Sequence, residues 1–313
     1  MDLSTVRTDP VTGEVVVVSP RRIPPPPAFG RGSLPTVPSC PFCPGAEHLC
    51  EPEIARVPAG ADWVARAFAN RRPGLSLEDP AGRLPTPLEG RGGRGIHEVL
   101  VLGREHGALS RDDRYAGLVL AARRMADLAR DPGLAALGWY RNRGLEAGST
   151  QPHDHAQIVG MPVLPQRVAR FVAAQQADGG LLPGLVERAR HDGRLVAELD
   201  GVVAYCPWAP SVPFEVRLQP VAPVARWEDA VALLGPLATL LHALQEALDG
   251  MSGFTSTNLV LFAGPPRMDV ASVRWQVRLL PRIVMAGGFE AWSGGAMQPI
   301  APELAAEMLR PKV

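Results

Sequence analysis

Gly148-Ser149-Thr150-Gln151-Pro152-His153-Asp154-His155-Ala156-Gln157 is the stretch on which the reading of this chain turns. It places two histidines two residues apart and a glutamine two further on, at the head of the apolar run Ile158-Val159-Gly160-Met161. In a strand, alternate side chains share a face. His153, His155 and Gln157 would therefore project together, with Asp154 and Ala156 on the other side. Three polar groups on one face of an otherwise buried strand are costly unless they are used. This face is the candidate active site.

The flanking sequence reads as strands and helices in a repeated order. Residues 8–18 read as a turn and a buried strand, and 20–38 are too rich in Pro, Arg and Gly for regular structure. Trp63 to Phe68 and Gly95 to Leu102 read as strands. Ser110, with Asp113 three residues on, reads as the cap of a helix running to about Ala129. Gly138 to Arg141 is a short strand, and the loop 142–148 leads into the histidine strand. In the second half a helix begins near Gln166, and strands are expected at 195–198, 202–206 and 214–218. A long helix over 227–248, kinked at Pro236, precedes strands at 258–262 and 275–280 and a last helix near 302–309. The order of elements predicts an α+β fold, a largely antiparallel sheet with packed helices, built from two similar halves, 1–164 and 165–313.

Composition narrows the function. The 313 residues are 46% hydrophobic and carry 32 basic and 32 acidic side chains, a net charge of zero. Nothing in that balance points to a nucleic acid or an anionic membrane as partner. No apolar run approaches the ~20 residues that span a bilayer, and the first residues are not a signal peptide. Four cysteines in a chain of this length are no disulfide framework, so a reducing cytoplasm is the expected compartment.

Cys40-Pro41-Phe42-Cys43 is a tight CxxC knuckle, a pattern shared by redox and metal sites. A zinc site takes about four N/S ligands in a tetrahedron. With no second CxxC, the remaining ligands must be histidines. His106, in a loop after a strand, and His153 complete a Cys2His2 set; the alternative is a pair of reduced structural thiols without metal. Four protein ligands leave no open position for water, so such a zinc is structural. His155 is then the candidate nucleophile, because a neutral imidazole attacks phosphorus near neutral pH. Gln157 can donate to a phosphoryl oxygen as charge develops on it. Asn142, Gly144, Gly148, Ser149 and Thr150 form a loop that offers amides and hydroxyls to phosphate, although it lacks the lysine and the spacing of a P-loop.

Together these residues resemble the galactose-1-phosphate uridylyltransferase family of the histidine-triad superfamily, over nearly the whole chain. Arg7 to Gly13 resembles the family's opening strand and turn, Cys40 to Gly45 its zinc knuckle, and Phe68 to Pro73 its nucleotide-contacting segment. His97-Glu98-Val99 with Glu105-His106 resembles its third-ligand region, and Gly148 to Gln157 its central motif. Segments 212–216, 258–261 and 288–290 also match. The resemblance implies a histidine-triad-like fold and a double displacement through a nucleotidyl-histidine at His155, between a nucleotide sugar and a sugar 1-phosphate, with UMP as the transferred group. It further implies substrate contacts from Asn70, Asn142, Thr150, Ser149 and Arg22, and a homodimer as the common assembly. Arg71 leaves the base open between uracil and adenine.

Three departures qualify it, one being the tail Val284 to Glu290, which is only partly like that of the galactose-specific members and leaves the acceptor sugar open. Asp154 stands where the family has proline; alternation points it away from the site, where it can pair with an arginine. The last strand, Arg274-Trp275-Gln276-Val277, carries no histidine, which argues against a second metal. The alternatives are a nucleotide-sugar phosphorylase of the ADP-glucose type, a hydrolase, against which Gln157 speaks, and a non-catalytic zinc-stabilised nucleotide-binding module.

Overall fold

A computed structural model describes residues 3–11, 15–19, 40–60, 62–85, 88–251 and 256–310. Its main element is a ten-stranded sheet in which every pairing is antiparallel. The first half of the chain supplies β3 (Glu53–Val57), β4 (Ala65–Ala69), β6 (Ile96–Leu102), β7 (Ala136–Arg143) and β8 (His155–Met161). The second half supplies β9 (Leu195–Leu199), β10 (Val202–Tyr205), β11 (Val216–Pro220), β12 (Thr257–Phe262) and β13 (Gln276–Pro281). The order is β3-β4-β6-β8-β7-β12-β13-β11-β10-β9. Counted from either edge to the centre, the five strands of each half follow the sequence first, second, third, fifth, fourth. The sheet is thus two copies of one topology joined where β7 meets β12, and it runs unbroken across the expected division at residue 164. The fold is the mixed α+β architecture expected from the sequence, a largely antiparallel sheet with packed helices in two similar halves.

The helices repeat the same scheme. α1 (Arg111–Leu128) links the third and fourth strands of the first half, and α4 (Leu234–Asp249) links those of the second. Ser110 caps α1 as expected: its hydroxyl accepts from Asp113 N–H and the Asp113 carboxylate accepts from Ser110 N–H. Such a box contributes about 1 kcal/mol. α1 and α4 lie against one face of the sheet, where Ala156, Ile158, Leu100, Leu237 and Leu244 are fully buried. Trp139, Trp227 and Trp275 join the halves there, with ring centroids 6.2 and 5.4 Å apart. The opposite face carries the candidate site in the first half and α3 (Leu181–His191) in the second, with Val186 and Ala189 packed on Val203 and Tyr205.

Several expectations are corrected. The long helix does not start at Trp227. A 3-10 turn, Val231–Leu233, leads into α4, and Pro236 falls in the first helical turn, where its missing N–H would have had no partner, so it makes no kink. The segment Val231–Asp249 is long and apolar enough to cross a membrane, contrary to the sequence expectation, yet Leu234, Leu237, Leu241, Leu244 and Leu248 are core residues of this fold. The valines expected as a buried strand form β2 (Val15–Val18), which pairs with β1 (Thr5–Thr8) in a separate sheet with β5 (Gly90–Gly92), and Val16 is exposed. α2 (Gln166–Ala177) starts where expected; α3, α5 (Gly288–Ser293), β3 and β5 were not anticipated, and α6 (Pro302–Leu309) closes the described chain.

Candidate functional site

β8 lies between β6 and β7, and the register sets the site. His155 sits opposite Val101, and Gln157 lies between Val99 and Tyr140. Ala156 and Ile158 face the helices and are fully buried. The other face meets Phe42, Trp63, Phe68, Val99 and Val101. The regular strand begins at His155, so His153 lies just outside it rather than heading it. The Phe42 ring nevertheless packs edge-on against both imidazoles, with centroids 6.2 Å from His153 and 5.4 Å from His155. Both histidines therefore share a face, as alternation requires.

His155 is buried, and its Nδ1–H donates to the His153 carbonyl at 3.0 Å. That bond assigns the tautomer and leaves Nε2 with its lone pair. Burial lowers the pKa of the ring, outweighing the opposing influences of the His153 carbonyl and of Asp154, so the imidazole is neutral at pH 7. Gln157 Oε1 accepts from Tyr140 Oη at 3.0 Å and lies 2.6 Å from His97 Nε2.

The expected ligands come together. Cys40 Sγ, Cys43 Sγ and one ring nitrogen each of His106 and His153 lie within 4.8 Å of one another. His153 Nδ1 is 3.8 Å from Cys40 Sγ and 3.6 Å from Cys43 Sγ, and His106 Nε2 is 3.2 Å from Cys43 Sγ. Zn–S and Zn–N bonds of about 2.3 and 2.0 Å in a tetrahedron give S···N edges of about 3.5 Å, so this cage fits zinc. His153 Nε2–H donates to the Gly103 carbonyl at 3.1 Å, which turns Nδ1 toward the thiols, as the second bond of a ligating histidine does. Burial, reinforced by Cys40, raises the Cys43 thiol pKa, and burial lowers that of His153. Of the other cysteines, Cys50 donates to the Pro41 carbonyl behind the knuckle, and burial pushes Cys206 up to about 12.

Asp154 points away from the site, as alternation predicts. Its carboxylate accepts two bonds from Arg141, one from Nε at 2.6 Å and a second from Nη2. Burial would raise this carboxyl, but the charge and hydrogen bonds of Arg141 overrule it and hold the pKa below the usual value.

The remaining expected residues are placed unevenly. Asn142 Oδ1 accepts from Asn258 Nδ2 at 2.8 Å, and Asn258 also donates to the Ala147 carbonyl, so the second half clamps the loop. Gly144 has φ +83°, and a Cβ there would stand 2.1 Å from Ser256 Oγ; only glycine fits. Thr150 is exposed, whereas Ser149 is buried and its hydroxyl donates to the Gln151 carbonyl. Asn70, after β4, donates its N–H to the His97 carbonyl at 2.8 Å and brings its amide nitrogen within 3.3 Å of His97 Nε2. Arg22 lies outside the described residues. His97 and Tyr140 at Gln157 were not anticipated. The signal was present: His97 alternates with Val99 and Val101, a lone polar residue on a face otherwise apolar.

No protein-family model matches the chain. It is 26% identical to an ADP-glucose phosphorylase of Arabidopsis thaliana over 97% of its own length and 92% of that protein's. It is 30% identical to a galactose-1-phosphate uridylyltransferase of Streptomyces lividans over 69% of its own length and 56% of that protein's. Among solved structures, that of an Arabidopsis thaliana ADP-glucose phosphorylase with bound ADP-glucose superposes with a TM-score of 0.76 at 25% identity, covering 97% of each chain.

Proposed function

We infer the activity from one premise: the chain belongs to the galactose-1-phosphate uridylyltransferase family, a family of nucleotidyltransferases and phosphorylases. The function we propose is a double displacement on a nucleotide sugar. The Nε2 lone pair of His155 attacks the α-phosphorus, the P–N bond forms, and the bond to the departing sugar 1-phosphate breaks. An acceptor oxygen then attacks the same phosphorus, the P–N bond breaks, and His155 returns to its neutral form. Gln157 steadies the phosphoryl oxygens as their charge grows. Asn70, Asn142 and Thr150 are the groups proposed to contact nucleotide or phosphate, with Ser149 beside Thr150 in the same loop; Arg22, outside the described residues, is proposed as a further phosphate contact. The observation that carries this reading is the buried His155, whose Nδ1–H is tied to the His153 carbonyl and whose Nε2 is bare.

The acceptor divides the reading. A hexose 1-phosphate accepting UMP makes the enzyme a uridylyltransferase. Inorganic phosphate accepting AMP makes it a phosphorylase. By sequence, the likeness to the Arabidopsis thaliana ADP-glucose phosphorylase spans 97% of this chain and 92% of that protein, whereas that to the Streptomyces lividans uridylyltransferase spans 69% of this chain and 56% of that protein, and this sequence coverage favours the phosphorylase. Either enzyme passes through the same covalent intermediate. Incubation with ADP-glucose or with UDP-glucose, without acceptor, should add one nucleoside monophosphate to the intact mass. The donor that loads the protein names the base. Release of the adduct by phosphate, or by a hexose 1-phosphate alone, names the acceptor. No adduct with any of a wider donor panel would sink the covalent mechanism and favour a nucleotide-binding module.

The metal we propose is one structural zinc on Cys40, Cys43, His106 and His153, which fixes the start of β8 beside the nucleophile. Elemental analysis should find about one zinc per chain, and Cys43→Ser should lower both zinc content and melting temperature. A stable, metal-free wild type would remove this assignment. The compartment we propose is the cytoplasm, because four cysteines in a chain of this length make no disulfide framework, and the assembly a homodimer.

A further inference from the structure

We propose that His97 and Tyr140 are positioning residues that aim the Gln157 amide at the phosphoryl group; the inference rests on the transfer reading given above for what the amide does, and on geometry alone for how it is held. Gly74 N–H donates to His97 Nδ1 at 2.9 Å. A ring nitrogen that accepts a backbone N–H carries no proton, so the proton of the neutral ring sits on Nε2. A charged ring would set two N–H groups against each other at that contact. Nε2–H faces Gln157 at 2.6 Å, and it can only donate. The group it meets is therefore the carbonyl oxygen of the amide. Tyr140 Oη donates to the same oxygen at 3.0 Å.

Two donors on Oε1 leave Gln157 one orientation, with Nε2H2 turned away from both. A glutamine amide alone is nearly two-fold about its last torsion, and a flip would present an oxygen, not a donor, to the phosphate. The flip here would place NH2 against the His97 N–H, which cannot accept; the tyrosine hydroxyl, able to accept as well as donate, adds a bond to Oε1 without itself forbidding the flip. Asn70 Nδ2, 3.3 Å from His97 Nε2, cannot donate to a nitrogen already protonated, and Asn70 Oδ1 accepts from Arg72 N–H at 2.9 Å. His97 thus sits between the 70–74 segment and the amide and holds the amide's polarity.

The test is a cycle of variants read by single-turnover formation of the nucleotidyl adduct with ADP-glucose and with UDP-glucose. Gln157→Ala should slow loading by roughly 10²–10³-fold. His97→Ala should slow it by about 10–100-fold with donor affinity changed less than about twofold. Tyr140→Phe should cost about 2–10-fold, the loss of one hydrogen bond. His97→Gln, whose amide nitrogen can reach the place of Nε2, should recover most of the rate. The decisive arm is His97→Ala in the Gln157→Ala background, which should add no more than about a twofold loss. Multiplied losses in the double variant would overturn the inference, because His97 would then act independently of Gln157. A second readout needs no turnover: the 15N spectrum of the His97 ring, assigned by its loss in His97→Gln, should show Nε2 protonated and Nδ1 bare. The opposite tautomer, or a charged ring at neutral pH, would overturn the inference even in an enzyme that loads normally. If neither sugar nucleotide loads the wild type, the transfer reading fails for these donors and the spectrum still decides how Gln157 is held.

Discussion

Replacing His155 with alanine is expected to lower turnover by about 10⁴–10⁶-fold, the range that follows loss of a nucleophile with the rest of its site intact. No other described side chain at this face pairs a bare, neutral nitrogen with a hydrogen bond that aims it. His153 is directed to the thiols by Gly103, and His97 is saturated by Gly74 and Gln157. The loss should fall on the chemical step. Donor binding rests on groups the substitution leaves alone, so the affinity for an unreacted nucleotide sugar should stay within a few fold. The fold should also persist, because β8 is held by backbone pairing to β6 and β7 on both sides and its core side chains, Ala156 and Ile158, face away from the change. Truncating a ring against Phe42 should cost about 1–3 kcal/mol, a shift of a few degrees in melting temperature. Turnover within tenfold of wild type would sink the nucleophile assignment. An adduct that survives in His155→Ala would move it to another residue, which peptide mapping would identify.

Much of this site was legible because its parts are local. The two histidines and the glutamine are spaced by the period of a strand, and the register of β8 against β6 puts them where that period says. The CxxC knuckle and the scarcity of histidines limited the metal ligands to a set that the fold assembles. The Ser110–Asp113 box fixed the start of α1. What stayed hidden depends on contacts between distant segments. His97 reaches Gln157 only because β6 pairs with β8, sixty residues apart in sequence. Asn258 clamps Asn142 only because β12 lies beside β7, where the halves join. The start of α4 was misread because apolar periodicity runs on through 227–233, while the proline that confines the helix acts through a backbone hydrogen bond it cannot make. Val16 was misread because a run of valines looks buried whether or not anything covers it; here Val16 stands exposed on a three-stranded sheet.

The second large effect concerns Asp154, where the sequence departs from the pattern it otherwise follows. Asp154→Ala should destabilise the protein by about 3–5 kcal/mol, because it leaves a buried guanidinium without its counter-charge. Arg141 is 1% exposed and Asp154 8%, so water cannot replace the lost partner. The damage does not stop at one residue. Arg114, on α1, is buried beside them, and its pKa is pushed down to about 9, first by burial and then by the charge of Arg141, with Asp154 opposing. Without Asp154, two buried arginines face each other across the helix–sheet interface. At roughly 2 °C per kcal/mol for a chain of this size, the melting temperature should fall by about 6–10 °C. Arg141→Met in the same chain should recover most of that loss, since an apolar group of similar length needs no partner. Asp154→Pro separates the two roles of the position. Alone it should be as damaging as alanine, because the arginines remain unpaired. Combined with Arg141→Met it should fold with near wild-type stability and load nucleotide normally, since His153 and His155 would keep their face. If Asp154→Ala melts within 2 °C of wild type, the ion pair is not what holds this strand end. If the proline double variant is stable but fails to load, Asp154 serves the site directly and not through Arg141.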